Sequence, residues 1–439
     1  MFHWFESRVD PYPAGPPPQP PRGFFPFVWA ATRGLRTLIV SLTVLTAVIG
    51  AFEALLFSML GSVVDWLAQV PAGQLWAQQK SHLLLLAGIL FASPLLIWLH
   101  ALCKYQGLAG NFAMRLRWNF HRHLLGQSMG FYQDEFAGRV AAKVMQSALA
   151  VRDTILICSD IMVFVVIYFV TMTAVVGHFD LALMAPFLCW LVLYLLTLLF
   201  FVPRLSRAAK TQADARSLMT GRITDAYTNI STVKLFAQGQ REAGFVKSAM
   251  QEFMTTVYRQ MRLVTGIEVI NHTLNMLLIA GTAGGALWLW SRGAVGIGAV
   301  AAATAMALRL NGIAHWIMWE MSNLFEQIGT VQDGISTLSR PIAINDAADA
   351  QPLKVTRGEI RFDDVSFAYG GDKRVIEHLA LTIRPGEKIG LVGRSGAGKS
   401  TLVNLLLRFY DVEHGRILID GQDIAHVTQD SLRSQVGMV

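Results

Sequence analysis

The chain has 439 residues, 53% hydrophobic and 15% charged, with a formal net charge of +7. Soluble domains carry about 25% charged residues, so a single water-soluble globule is excluded, as is disorder throughout. Three cysteines far apart (Cys103, Cys158 and Cys189) argue against a disulfide scaffold, and the opening residues argue against a signal-peptide-led secreted protein.

Residues 1–23 include the run from Pro11 to Pro21, a composition that neither propagates a helix nor fills a core, and the expectation is a disordered tail. Phe24, Phe25, Phe27 and Trp29 beside Arg22, Arg33 and Arg36 read as a short interfacial segment. A spanning helix needs about 20 mostly apolar residues. Six windows qualify: Leu38–Val64, Leu83–Leu102, Thr154–Val176, Leu181–Val202, Ile267–Trp290 and Val295–Met318. The second and third, and the fourth and fifth, are separated by long polar stretches poor in proline and glycine, which read as helical extensions. The other connections are short.

Lysine and arginine sort with the long stretches. The first holds Lys104, Arg115, Arg117, Arg122, Arg139, Lys143 and Arg152, and the second is richer still, whereas the short connections offer only Lys80 and Arg292. Basic loops face the cytoplasm, so both termini and both long loops are expected there, in the plasma (inner) membrane. The basic excess is then topological, and no nucleic-acid partner is needed to explain it.

Arg340–Pro341 and the run Asn345–Pro352 mark a linker, and from Gly358 the pattern becomes that of a soluble α/β domain. Ile360 and Phe362, then Leu379, Leu381 and Ile383, alternate with polar residues as half-exposed strands do. Lys388–Val392 reads as a buried strand. It leads into Gly393-Arg394-Ser395-Gly396-Ala397-Gly398-Lys399-Ser400, which matches G-x-x-x-x-G-K-[ST], followed by the helix-like Leu402, Leu405, Leu406 and Phe409. Glycines let the backbone curl so that its N–H groups point at phosphate oxygens, and the helix N-terminus adds its positive end. Lys399 would reach the β and γ phosphates, and the Ser400 hydroxyl would ligate Mg²⁺.

From Gly358 to Val439 the chain resembles the start of an ABC-transporter nucleotide-binding domain. The resemblance rests on Phe362–Tyr369, Pro385-Gly386-Glu387, the phosphate loop, Arg408-Phe409-Tyr410-Asp411, Gly415–Gly421 and Ser431-Leu432-Arg433. With six spans upstream, the whole looks like a half-transporter of the ABC exporter type. The implied fold is an all-α six-helix transmembrane domain with long cytoplasmic helical extensions (24–340), a linker (341–357) and a partial α/β P-loop nucleotide domain (358–439).

The resemblance implies that ATP and Mg²⁺ bind at Gly393 to Ser400 and Thr401, with Tyr369 stacking on adenine. It implies a homodimer, or a heterodimer with a related half-transporter. It also implies ATP-driven export of a hydrophobic or amphipathic small molecule or lipid across the inner (plasma) membrane by alternating access. Phe131–Val140 resembles the family's first coupling-helix region, and Asp225–Phe236 the second.

The family's signature motif, Walker B aspartate, water-polarising glutamate and switch histidine are not found before Val439, so the expectation is a truncated half-transporter that does not hydrolyse ATP alone. Ile417-Leu418-Ile419-Asp420 mimics a Walker B strand, but Gly421 follows, and it reads as a strand and turn. The alternatives are a non-catalytic nucleotide-binding subunit that regulates a partner, and a P-loop kinase on a membrane anchor. An anchor needs one span and no long helical loops.

Within the spans, Glu268, Asn271 or His272, and Asn275 share one helical face, as do Arg309, Trp316 and Glu320, and Glu53 lies in the first window. Either a translocation pathway or interhelical pairing accounts for them. His121 and His123 read as solvated surface.

Overall fold

The computed structural model describes residues 2–71, 73–135, 137–370 and 374–438. A short α1 (Phe2–Glu6) and α2 (Phe24–Ala31) precede the spans. The first three spanning helices then follow, two of them interrupted by π-helical segments. They are α3 (Arg36–Gln69); α4 (Leu75–Ala101) continuing through π-helical Leu102–Ala109 into α5 (Gly110–Leu125); and, after α6 (Met129–Asp134), α7 (Ala137–Leu156) continuing through π-helical Ile157–Ile161 into α8 (Met162–Phe179). Next come α9 (Met184–Thr228), α10 (Ile230–Leu235), α11 (Gly239–Ser291) and α12 (Ile297–Leu338).

Among the described residues six helices are long and apolar enough to cross a membrane; the first five contain the first five sequence windows, and the sixth, Ile297–Leu338, covers all of Val295–Met318 but its first two residues. At 1.5 Å per residue the 53-residue α11 is roughly 80 Å long, far beyond the ~30 Å of bilayer hydrocarbon. The polar stretch between the fourth and fifth windows is therefore largely a continuation of α9 and α11.

The short connections are made by local chemistry. Between α8 and α9, Asp180 accepts from the Ala182 N–H at 2.7 Å and caps the next turn. Between α11 and α12, Gly293 takes φ of 71°, and its N–H reaches Trp290 O at 2.8 Å. Where α3 crosses α12, a Cβ on Gly298 would collide with Gly61 O, so glycine permits the approach. Asp65 then accepts from the Gly298 N–H at 2.7 Å.

The chain divides into two units: Met1–Pro13, Gly23–Leu116 and Ser147–Asp333 form one, and Ala14–Arg22, Arg117–Gln146 and Gly334–Val439 the other. The core of the first is built on Tyr168, Met172, Phe187, Trp190, Met306 and Leu310, all nearly or fully buried. Residues 1–23 are expected to form a disordered tail, but the described part of it, from residue 2, has definite partners. In the first unit Phe5 and Val9 are buried, Asn111 donates to Glu6 O at 2.8 Å, and Arg115 donates to Asp10 O at 3.3 Å. In the second, Arg122 donates to Gly15 O, and Ser339 to Pro21 O at 2.9 Å. A proline-rich strand lacks the N–H groups for a ladder of its own, but its carbonyls remain acceptors for side-chain donors.

The second unit contains a four-stranded antiparallel sheet in the order β2-β1-β3-β4, with β1 Ile360–Phe367, β2 Ile376–Ile383, β3 His414–Ile419 and β4 Gln422–Asp423. Ile360 pairs with Ile383 on one side and Ile419 on the other. Phe362, Val365 and Ile417 fill a core closed by Leu405 of α13 (Lys399–Leu406) and Leu432 of α14 (Gln429–Ser434).

Asp420 ends β3 in the turn to β4, at φ of 48°, and accepts from the backbone N–H groups of Thr356, Arg357, Gly358 and Glu359 at 2.6 to 3.1 Å. Those N–H groups, Arg357 foremost, hold its carboxyl well below the usual carboxylate range. It is a structural residue, as the strand-and-turn reading requires.

Two expectations are corrected. Lys388–Val392 is not a strand, and Val392 is 97% exposed. A strand buried on both faces needs neighbours on both sides, and none of the described strands pairs with this segment. His123 is also not solvated. It is buried beside Gln127, whose Nε2 lies 3.5 Å from its Nε2, whereas His121 is exposed.

Candidate functional site

The phosphate loop owes its shape to glycines. Gly396 and Gly398 both take φ of 83°, which a side chain at either position would strain. At Gly398 a Cβ would also lie 3.2 Å from Val375 O, so that residue is doubly constrained. Gly398 caps α13, whose first residue is Lys399, and the Ala397 N–H closes a turn on Arg394 O at 3.1 Å.

Lys399 Nζ donates to Gly393 O at 2.8 Å and Arg394 O at 2.9 Å, so the ammonium is folded over the loop that precedes it. A phosphate oxygen would win this donor from neutral carbonyls, because charge-assisted hydrogen bonds are roughly twice as strong. Ser395 and Ser400 are exposed, and the Ser400 hydroxyl has no protein partner among the described residues. Thr401 is buried one position further on.

Tyr369, from a distant part of the sequence, is brought to this helix. Its hydroxyl donates to Thr401 Oγ1 at 3.1 Å, and its ring stands edge-on to Phe367 at 4.8 Å and to Tyr410 at 5.0 Å. The residue is 44% exposed, which leaves it accessible to a planar ligand. The loop, the helix N-terminus, one lysine and an exposed aromatic ring fit the phosphates and base of a nucleotide. The exposed Ser400 hydroxyl is a suitable Mg²⁺ ligand.

The segments read as coupling regions are short helices. In the first, Ser128 accepts from the Phe131 N–H at 3.4 Å to start α6, and Glu135 pairs with Arg340 at 3.1 Å. A Cβ on Gly130 would lie 3.5 Å from the Tyr410 ring, so α6 packs against the aromatic group that holds Tyr369. Phe136 lies outside the described residues. In the second, α10 follows a break at Asn229, and Leu235 and Phe236 are 79% and 64% exposed.

Inside the spans the polar residues separate into two groups. Asn271 and Asn275 are buried and structural: Trp190 Nε1 donates to Asn275 Oδ1 at 2.9 Å. Glu268 is exposed. Arg309 and Glu53 pair at 3.0 Å on the wall of a cavity of about 520 Å³. A second cavity, of about 580 Å³, shares Arg309 and adds Trp316 and Glu320.

That second cavity also exposes a cluster the sequence reading did not single out. Asp160, buried, accepts from Thr46 and lies 2.9 Å from His100 Nε2 and 2.7 Å from Lys104 Nζ. Lys104 and Asp160 lie in the two π-helical segments, and such bulges are frequent at functional sites. The legible signal was a charge at 160 inside the window Thr154–Val176.

Comparison with known proteins agrees with both units. Residues 38–313 match the family described as the ABC transporter transmembrane region, and residues 376–439 match the ABC transporter family. An ABC transporter ATP-binding protein of Haemophilus influenzae is 53% identical over 440 residues, spanning 100% of this chain and 72% of the relative. An ATM1-type heavy metal exporter of Novosphingobium aromaticivorans is 31% identical over 53% of the chain and 38% of the relative. ATP-binding cassette sub-family B member 6 of Mus musculus is 30% identical over 58% of the chain and 30% of its own length. The solved structure of a bacterial Atm1-family ABC exporter with ATP bound shares the fold, with a TM-score of 0.71 at 24% identity over 91% of the chain and 70% of that chain. The chain belongs to the ABC transporter family, with the membrane-spanning region of an exporter followed by part of a nucleotide-binding region.

Proposed function

We propose that this chain contributes the membrane half and the phosphate-binding loop of an ATP-driven exporter that works as a dimer of half-transporters. The observation that carries the reading is the glycine-rich loop with Tyr369 set beside it, in a chain whose described residues also hold six helices long and apolar enough to cross a membrane. Residues 393–401 would hold the phosphates of ATP, Ser400 would ligate Mg²⁺, and Tyr369 would stack on the adenine. ATP supplies the free energy when bound and cleaved. The chain supplies the loop that binds it and the long helices that convert closure into movement, because only a ligand that prefers one conformation shifts the balance between conformations.

The Lys/Arg excess of the long loops supports an orientation with both termini on the cytoplasmic side, and we assign the chain to the plasma (inner) membrane on that reading. A hydrophobic or amphipathic substrate fits cavities walled mainly by aliphatic and aromatic side chains around a few charges. The test is ATP-dependent accumulation of a lipophilic dye in inside-out vesicles that contain the natural gene product. Accumulation that requires ATP and is lost in Lys399→Ala supports export. Accumulation that is the same in that variant contradicts it.

A further inference from the structure

One end of the first unit carries arginines and exposed aromatic rings that the nucleotide site does not use. The spanning helix α3 begins there at Arg36, and α4 ends there by passing into the π-helical Leu102–Ala109. The two meet closely, since a Cβ on Gly107 would lie 3.6 Å from Leu38 Cδ1. α1 packs on the π-helical segment, Phe5 and Val9 are buried, and Asn111 donates to Glu6 O at 2.8 Å. Arg115 joins this N-terminal stretch to the turn before α3. Its Nη1 donates to Asp10 O at 3.3 Å, and a Cβ on Gly34 would lie 3.0 Å from its Nη2. Arg8, Arg33 and Arg36 are exposed, and none of them has an ion-pair partner among the described residues.

Two of these guanidiniums are set on tryptophan faces. Arg8 Cζ lies 3.7 Å from the centroid of the Trp4 ring, and Arg36 Cζ 4.1 Å from that of Trp29. Arg36 Nε also donates to Thr32 Oγ1 at 3.3 Å, and that hydroxyl donates to Trp29 O at 2.8 Å. Phe2, Trp4, Phe25 and Trp29 are all exposed. Exposed aromatic rings beside unpaired cations suit the boundary between lipid headgroups and acyl chains. A guanidinium offers phosphate two parallel donors.

From Arg36 an exposed row continues along α3. Val40, Val44 and Val48 follow at four-residue spacing, so one face of the helix runs from a cation into aliphatic surface. A phospholipid has its parts in that order, phosphate and then acyl chain. A soluble anion or an acidic peptide has nothing to lay along the valines.

The geometry points to a binding site for an anionic phospholipid of the surrounding leaflet. Its phosphate meets Arg36, with Arg8 and Arg115 adding positive charge, its glycerol region lies against Trp4 and Trp29, and one acyl chain follows Val40, Val44 and Val48. A zwitterionic lipid is held less tightly, because its ammonium brings a positive charge to a positive surface. The site is independent of the nucleotide reading and needs only that α3 crosses the bilayer.

Native mass spectrometry of the natural gene product, released from a neutral detergent, resolves the first bound lipid in titrations with dioleoylphosphatidylglycerol or dioleoylphosphatidylcholine. The first phosphatidylglycerol should bind at least about tenfold tighter than the first phosphatidylcholine. Arg8→Gln with Arg36→Gln should weaken it about twentyfold, since each cation near an anionic lipid is worth roughly fivefold. Arg8→Lys with Arg36→Lys keeps the charge and should retain most of the preference. Arg361→Gln with Arg416→Gln removes the same charge from the sheet and should change nothing.

Equal affinity for the two lipids on the unaltered chain overturns the inference, and so does an unchanged preference in the glutamine pair. An equal loss in the sheet control overturns it as well, because net charge then explains the effect. Displacement of phosphatidylglycerol by an equal concentration of glycerol 3-phosphate, which has the charge without the chains, would reveal a soluble-anion site instead. If the glutamine pair does not fold, the two lipids on the unaltered chain still decide.

Discussion

Tyr369 donates its hydroxyl to Thr401 Oγ1 at 3.1 Å, which fixes an aromatic ring from the end of β1 beside the helix that follows the phosphate loop. The bond locks the ring's orientation while leaving 44% of the residue exposed. Removing the ring in Tyr369→Ala should weaken ATP binding by about one to two powers of ten, the equivalent of ~1–3 kcal/mol of base stacking. Tyr369→Phe keeps the ring and should retain most of the affinity. Titration with a fluorescent ATP analogue checks both, and equal losses in the two variants would assign the effect to the hydroxyl instead.

Asp420 should govern the acid stability of the nucleotide-binding region. Backbone N–H groups, Arg357 foremost, depress its carboxyl in the folded state, so its contribution is fully present above the unfolded carboxylate value of about 3.9 and is lost as pH falls below it. Asp420→Asn should therefore melt lower than the natural protein at pH 7, and the gap should narrow steadily below about pH 4. Thermal melts followed by circular dichroism across that range make the check. A gap independent of pH would mean that the carboxylate charge is not what the N–H groups recognise.

The six long apolar helices, the glycine-shaped loop before α13 and the turn at Asp420 were legible because each is written in consecutive residues: apolar length, glycine spacing, an aspartate before glycine. Lys388–Val392 was misread because a short apolar run records its own hydrophobicity and nothing about its neighbours. The contacts of residues 2–21 were missed for a related reason. Proline-rich composition rules out helix and ladder, but not carbonyls that accept from Asn111, Arg115 and Arg122 more than a hundred positions away. The Asp160 cluster joins residues from three spans, and Lys104 alone looked like one more cytoplasmic basic residue.

In that cluster, Asp160→Asn should lower stability by about 3–5 kcal/mol, because it strands the Lys104 ammonium among buried groups. The double variant Asp160→Asn with Lys104→Met removes the charge as well as its partner and should recover most of the loss. Detergent melting temperatures of the two single variants and the double variant supply the cycle. Additive losses would show that the two residues do not act as a pair.

Topology is open to labelling in intact cells. A cysteine placed at Gln133 or Gln240, in a background without Cys103, Cys158 and Cys189, should resist a membrane-impermeant maleimide added outside and react once the membrane is opened. Reaction from outside at either position would reverse the assigned orientation.

The central claim is that residues 393–401 form a nucleotide phosphate site in which Lys399 is the phosphate-facing cation. Photolabelling with 8-azido-ATP in membranes that contain the natural gene product tests it most directly, with Lys399→Ala beside it. The account predicts saturable, Mg²⁺-dependent labelling, competed by ATP and reduced at least about tenfold in the variant, since a charge-assisted phosphate contact is lost. Labelling of equal strength and equal ATP competition in Lys399→Ala would contradict it.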